Sequence, residues 1–303
     1  MSTIDENNVR NVAEEAAKIA GSFLKLMAFD KLRVFNVEET KKATGNFISV
    51  FDKEVERLIR NTINMYYPDS IIYTDANKNE VLVEAKKNEI IWFVDPLDGS
   101  KAFLKGQFAF VCLSLAAWDK EGLVAGAIYN PFTEMLYTAS RNSECFLNSE
   151  ILPKPKPVLR NKARILIDFS HEISENIKLG LITSVLRNEL GRILRFDGSI
   201  AQHLALIAQG TLDGAVIWGS GSKGAYWDLA AALLLLDRQG LVVTNLDGKK
   251  ILPSDSSFDQ LIIAEPTLQK ELLEWVPIIR EFKFVSDESA KKKRFFGLFD
   301  RFN

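Results

Sequence analysis

The chain has 303 residues, 47% of them apolar and 26% charged, with a formal net charge of −2. That length permits one large domain or two of roughly 150 residues, and the near-neutral balance gives no footing for a nucleic-acid polymer as partner. Two cysteines, Cys112 and Cys145, are too few for a disulfide framework and read as small buried residues in a reduced, cytoplasmic setting.

The N-terminus lacks the basic-then-apolar pattern of a secretory signal. Residues 8–29 repeat apolar positions at helical spacing (Val9, Val12, Ala16, Ile19, Ala20, Phe23, Met27) and predict a first amphipathic helix. Residues 31–45 are polar and irregular, a loop. Residues 52–66 predict a second helix, with Val55, Leu58, Ile59 and Ile63 on one face and Pro68 ending it. Residues 70–74 are strand-like. From Ile90 the run Ile-Ile-Trp-Phe-Val predicts a short strand stopping at Asp95 and Pro96. Residues 111–118, 123–129 and 134–139 predict a meander. The first half, 1–157, therefore reads as an α+β unit that ends in a Pro-Lys linker at 152–157.

The second half, 158–280, alternates strands and helices: strand 163–168, helix 175–188, strand 193–196, helix 200–209 ended by Gly210, strand 214–218, helix 227–239 ended by Gly240, strand 241–244. Such alternation predicts an α/β unit. No stretch approaches the ~18 apolar residues of a membrane span. The tail 281–303 closes with a basic cluster, Lys291 to Arg294, and phenylalanines at 295, 296, 299 and 302. It reads either as a weak, reversible contact for anionic lipid through Lys291–Asn303 or as a tail packing on its own domain.

The segment that carries chemistry is Asp95-Pro96-Leu97-Asp98-Gly99-Ser100. Hard divalent cations take oxygen ligands, and two carboxylates past a strand end can face the same ions. Gly99 allows positive φ or close backbone approach, and the amides after it can receive phosphate oxygens. Alone, these residue types also make ordinary turns. Asp228, near the start of an apolar helix, is either an N-cap or a ligand arriving from the second half. Asp52 lies at the start of the second helix, and Asp75 just after a strand.

Asp52, Tyr67-Pro68, Asp75, residues 92–103 (WFVDPLDGSKAF), 126–139 (GAIYNPFTEMLYTA), 145–148 (CFLN), 197–214 (DGSIAQHLALIAQGTLDG) and Trp227-Asp228-Leu229-Ala230-Ala231 follow in this order. Together they resemble the inositol monophosphatase superfamily, over roughly residues 9–248. The resemblance implies a layered α/β/α/β/α sandwich with the site between its halves. It implies a cytoplasmic, homodimeric, Mg²⁺-dependent phosphatase that binds two or three ions and hydrolyses a small phosphorylated metabolite. By the same resemblance, Asp75, Asp95, the Leu97 carbonyl, Asp98 and Asp228 hold the metals, and Asp52 with Ser100 orients the attacking water. Gly99 and Ser100 contact substrate. Lys41 matches the family's loop lysine.

The sequence departs from the family pattern in places. Asp75 and Ala76 stand where a Glu-Glu pair is usual, Ser100 replaces a threonine, and Asn46 and Ser49 soften the segment before Asp52. Ile217 falls where inositol monophosphatases carry a substrate-contacting glutamate, whereas Leu97 and Lys101 look more like the bisphosphate nucleotidases. Lys223, in the 219–223 loop, reads either as a contact to a second phosphate or as part of a solvated turn. His203 reads as structural, and His171 lies outside every motif. Beside the phosphatase stand two other readings: a catalytically weakened regulatory homologue, motivated by Asp75 and Ala76, and a membrane-associated scaffold using the tail.

Overall fold

Apolar side chains at helical spacing give α1 (Glu6–Lys31) a continuous buried stripe of Val9, Val12, Ala13, Ala16, Ala20 and Leu24. α2 (Val50–Tyr66) buries Val55, Ile59 and Ile63 beside it. In the computed structural model, which describes residues 4–31, 40–41, 47–48, 50–74, 89–167, 173–195, 198–218, 226–251 and 260–283, these two helices cover one face of a large sheet. A short antiparallel pair, β1 (Thr40–Lys41) and β2 (Phe47–Ile48), precedes α2. The rest of the loop predicted for 31–45 lies almost wholly outside the described residues, as does the tail 291–303.

Among the described residues the large sheet has seven strands in the order β3 to β9. They are β3 (Ile71–Tyr73), β4 (Ile91–Asp98), β5 (Cys112–Asp119), β6 (Gly122–Asn130), β7 (Met135–Ser140), β8 (Phe146–Leu147) and β9 (Glu150–Ile151). β3 runs parallel to β4, and every later pairing is antiparallel, as expected for a meander. The short helix α3 (Ser100–Leu104) and a 3-10 turn (Phe108–Phe110) join β4 to β5.

The second sheet has five strands in the order β11-β10-β12-β14-β13. β10 (Arg164–Ile167) is parallel to β11 (Arg192–Arg195) and β12 (Gly214–Trp218). β14 (Gln260–Ala264) is antiparallel to β12 and to β13 (Val242–Thr244). α4 (Glu175–Leu186) and α7 (Pro266–Arg280) contribute Leu181, Leu268, Leu272, Trp275, Val276 and Ile279 to one face of it. α5 (Ile200–Ala208) and α6 (Tyr226–Arg238) lie between the two sheets, packing on Phe93, Cys112, Ala116 and Ile128 of one and on Leu166, Ala215 and Ile263 of the other. The layers are therefore α/β/α/β/α. β14 and α7 follow the last strand anticipated from sequence, although Glu265 caps the Thr267 amide and Pro266 opens α7 with a normal start signal.

β4 departs from the expected strand that stops at Asp95: it continues to Asp98 through an irregularity. Asp95 pairs with Ser114 and Asp98 with Cys112, so β4 advances three residues while β5 advances two. The extra residue is a β-bulge, at a place where Pro96 has no N–H to give the ladder.

Candidate active site at the β4 bulge

The bulge decides which way the two motif carboxylates point. In a regular strand, residues three apart face opposite sides of the sheet. One inserted residue restores the parity, so Asp95 and Asp98 share a face. Leu97 buries its side chain in the opposite core, under α1 and α2. Asp95 accepts the Leu97 N–H on Oδ1 at 3.0 Å, closing the tight turn of the bulge.

Asp98 is buried and held from the second half of the chain. Ser199 Oγ donates to its Oδ2 at 2.6 Å, and the Ala201 N–H does so at 2.8 Å. Ser199 is also the N-cap of α5, accepting the Gln202 N–H at 3.0 Å, and its own N–H donates to the Phe110 carbonyl at 2.8 Å. Its hydroxyl lies 3.1 Å from Cys112 Sγ, which sits opposite Asp98 on β5. One serine thus ties α5, the 3-10 turn and the motif carboxylate together. The fit is close. A Cβ at Gly99 (φ +88°) would lie 2.5 Å from the Phe110 carbonyl oxygen, and one at Gly198 (φ +74°) would lie 2.2 Å from that same atom. Both positions need glycine for its left-handed backbone and for the space.

A second polar lock lies alongside. Asn130 Nδ2 donates to the carbonyls of Phe108 and Ala109 and to Gln202 Oε1, and Gln202 Nε2 donates to Ala109 O at 2.9 Å. His203 sits on α5 with Nδ1 against the Ser199 carbonyl and its ring stacked on Phe110, consistent with a structural role.

Asp52 and Asp228 sit in the first turns of α2 and α6. Asp228 is the third residue of α6, so it does not occupy the N-cap position. The short 67–70 connection returns α2 antiparallel to β3 and β4, which places its N-terminus at the C-terminal end of β4. The charges of these residues meet at Asp95. Its carboxyl is pushed well above the usual carboxylate range, first by burial, then by the charges of Asp228, Asp98 and Asp52, against the Leu97 hydrogen bond. Asp98 is raised to about 6, mainly by burial, with Ser199 and neighbouring amides opposing. Burial and the Asp98 charge also raise the Cys112 thiol, keeping it protonated. Among the described residues no three His, Cys, Asp or Glu side chains are already gathered tightly enough to grip an ion. Repulsion acts over longer distances than ligation, so crowded charges and the lack of a closed ligand set are compatible.

A family model described as the inositol monophosphatase family matches residues 5–283. The chain belongs to the inositol monophosphatase family. It is 30% identical over 268 residues to an inositol-1-monophosphatase of Mesorhizobium japonicum, covering 88% of this chain and 95% of that one. It is 29% identical over 240 residues to the Nus factor SuhB of Vibrio cholerae, covering 78% and 85%. The crystal structure of the extragenic suppressor protein suhB from Bartonella henselae superposes with a TM-score of 0.72 at 25% identity, over 88% of this chain and 97% of that one.

Within this family framework, the described site residues Asp52, Asp95, Leu97, Asp98, Ser100 and Asp228 come from α2, β4, α3 and α6, with Gly99 between β4 and α3 as the N-cap of α3. Asp75, Ala76, Lys223, Asn46, Ser49 and His171 lie outside the described residues. Ile217 is buried inside β12, in the core between the sheets, so its side chain is a packing residue. Sequence reasoning assigned no role to Ser199, Gly198 or Ser114. A Gly-Ser pair before an apolar helix signals an N-cap; that its hydroxyl reaches Asp98 depends on the tertiary contact. Among the described residues no helix is long and apolar enough to cross a membrane.

Proposed function

We propose that this family member is a Mg²⁺-dependent phosphatase acting on a small phosphate monoester. The observation that carries the proposal is the β4 bulge, which turns Asp95 and Asp98 to one face where the charges of Asp228 and Asp52 also act. The donor set suits the ion. Every proposed ligand offers oxygen, the preference of a hard cation, and the mutual repulsion that raises Asp95 is what a divalent ion relieves. Asp75, Asp95, the Leu97 carbonyl, Asp98 and Asp228 would hold it.

Bound there, Mg²⁺ supplies Lewis acidity and lowers the pKa of a water it coordinates. The chain's own residues do the rest. Asp52, with the Ser100 hydroxyl as relay, accepts the proton of the attacking water. Ser199 and the Ala201 N–H keep Asp98 from rotating away. Gly99 and Ser100 receive the phosphate where α3 begins, and Lys223 is the proposed contact for a second anionic group. No covalent phosphoenzyme is required.

The relatives and the motif support two substrate classes. An inositol-1-monophosphatase among them favours inositol 1-phosphate. The Leu97 and Lys101 variants favour 3′-phosphoadenosine 5′-phosphate. A relative named as a Nus factor supports a second reading, in which the chain acts through a regulatory partner and turns over little substrate. The proposal includes a homodimer working in the cytoplasm.

The test is phosphate release by purified protein with MgCl₂ on inositol 1-phosphate, fructose 1,6-bisphosphate and 3′-phosphoadenosine 5′-phosphate, with Asp98→Asn as control. Mg²⁺-dependent release lost in the control supports the phosphatase. No release from any of the three by folded protein favours the regulatory reading.

A further inference from the structure

Ser114 lies on β5 directly opposite Asp95 on β4. Residues opposite one another in an antiparallel pair project from the same face, with Cβ atoms about 4.5–5.5 Å apart. The face is fixed independently by the alternation along β5. Cys112 and Ala116 belong to the core between the sheets, whereas Leu113 and Leu115 belong to the core under α1 and α2. Ser114 therefore shares the Asp95 side, where α6 packs.

Ser114 is 0% exposed, and its Oγ has no hydrogen-bond partner among the described residues. A buried hydroxyl left unpaired is destabilising, and alanine in its place would avoid that cost. Across the strand, the Asp95 carboxylate accepts the Leu97 N–H on Oδ1, its single hydrogen bond among the described residues. An unpaired buried donor and a partly buried, under-satisfied acceptor thus face each other across the two strands. Rotation about a single side-chain torsion swings Oγ between its staggered positions.

We infer that Ser114 is a positioning residue for the proposed metal site: its hydroxyl donates to the Asp95 carboxylate and selects which oxygen Asp95 presents to the ion. The inference rests on the metal-dependent reading above. Partners of this kind, which hold a ligand in orientation, typically change metal affinity 10- to 100-fold when removed.

The test titrates MgCl₂ into full-length wild type, Ser114→Ala and Ser114→Thr by calorimetry, with melting temperatures in EDTA measured alongside. The expected result is a Mg²⁺ Kd raised at least tenfold in Ser114→Ala, with a melting temperature in EDTA equal to or above wild type. Ser114→Thr, which keeps the hydroxyl, should restore most of the affinity. Unchanged Mg²⁺ affinity in Ser114→Ala would overturn the inference while leaving the metal site standing. So would a melting temperature in EDTA well below wild type, which would make the hydroxyl a scaffold group. Absence of Mg²⁺ binding by the wild type would instead bring down the metal-dependent reading itself.

Discussion

Replacing Asp98 with asparagine removes one charge from a buried face while keeping the side chain's shape and its carbonyl acceptor. In the metal-free protein the Asp98 carboxyl is raised from 3.8 to about 6, chiefly by burial. At about 1.36 kcal/mol per unit, ionising it in the folded state costs about 3 kcal/mol more than in the unfolded chain. The amide escapes that cost but brings an NH₂ group needing an acceptor, worth about 1–2 kcal/mol. The expected net gain at pH 7.5 in EDTA is about 1–2 kcal/mol, or roughly 2–3 °C in melting temperature.

The pH dependence has a definite sign. The folded value lies above the unfolded one, so the folded state holds its proton longer, and this term weakens stability as pH rises from about 4 through 6. Asparagine does not titrate, so the two proteins should differ little near pH 3.5 on this account and separate by pH 7. With MgCl₂ the order reverses. Wild type gains about 2.7 kcal/mol at a hundredfold excess over Kd, and Asp98→Asn gains far less. Scanning calorimetry at both pH values, with EDTA or MgCl₂, and phosphate release on the same samples provide the check. An Asp98→Asn protein less stable than wild type in EDTA at pH 7.5, or one with an undiminished Mg²⁺ response and near-normal turnover, would refute the reasoning.

Other substitutions test the scaffold around that face. Ser199→Ala removes both the α5 cap and a charge-assisted donor to Asp98, and should lower stability by about 2–4 kcal/mol in urea unfolding while weakening Mg²⁺ binding. Gly198→Ala puts a Cβ 2.2 Å from the Phe110 carbonyl oxygen at a left-handed φ, and should cost at least about 2 kcal/mol by the same measurement. Asp213→Ala strips the paired Arg164 side chain, the Arg164 N–H and the start of β10 of their acceptor. It should destabilise by about 2–3 kcal/mol in thermal melts and leave the Mg²⁺ Kd unchanged.

Much of the framework was legible as local pattern. The spacing of Val9, Val12 and Ala16, the apolar run into Asp95, and the helices ended by Gly210 and Gly240 identify their elements, because amphipathic period and chain breakers act within a few residues. The grouping of Asp95, Asp98 and Asp228 came from the family resemblance, and in the fold the charges of Asp228 and Asp98 act on Asp95. The parts that were not legible depend on distant chain segments. Nothing in Asp-Pro-Leu-Asp states that β4 continues past Pro96: that follows from β5 offering Cys112 and Ser114 as partners two residues apart, and it is this mismatch that turns both carboxylates to one side. Ser199 looks like an ordinary helix cap until α5 is laid between the two sheets and its hydroxyl meets a carboxylate 101 residues earlier in the chain. The burial that raises Asp95 and Asp98, and leaves Ser114 Oγ without a partner, comes from packing α5 and α6 across the sheet. The elements and the carboxylate-rich motif are readable from the chain alone, because periodicity, caps and breakers act between neighbours along it. The tertiary structure decided the direction, the desolvation and the company of each carboxylate, because those are set by neighbours in space.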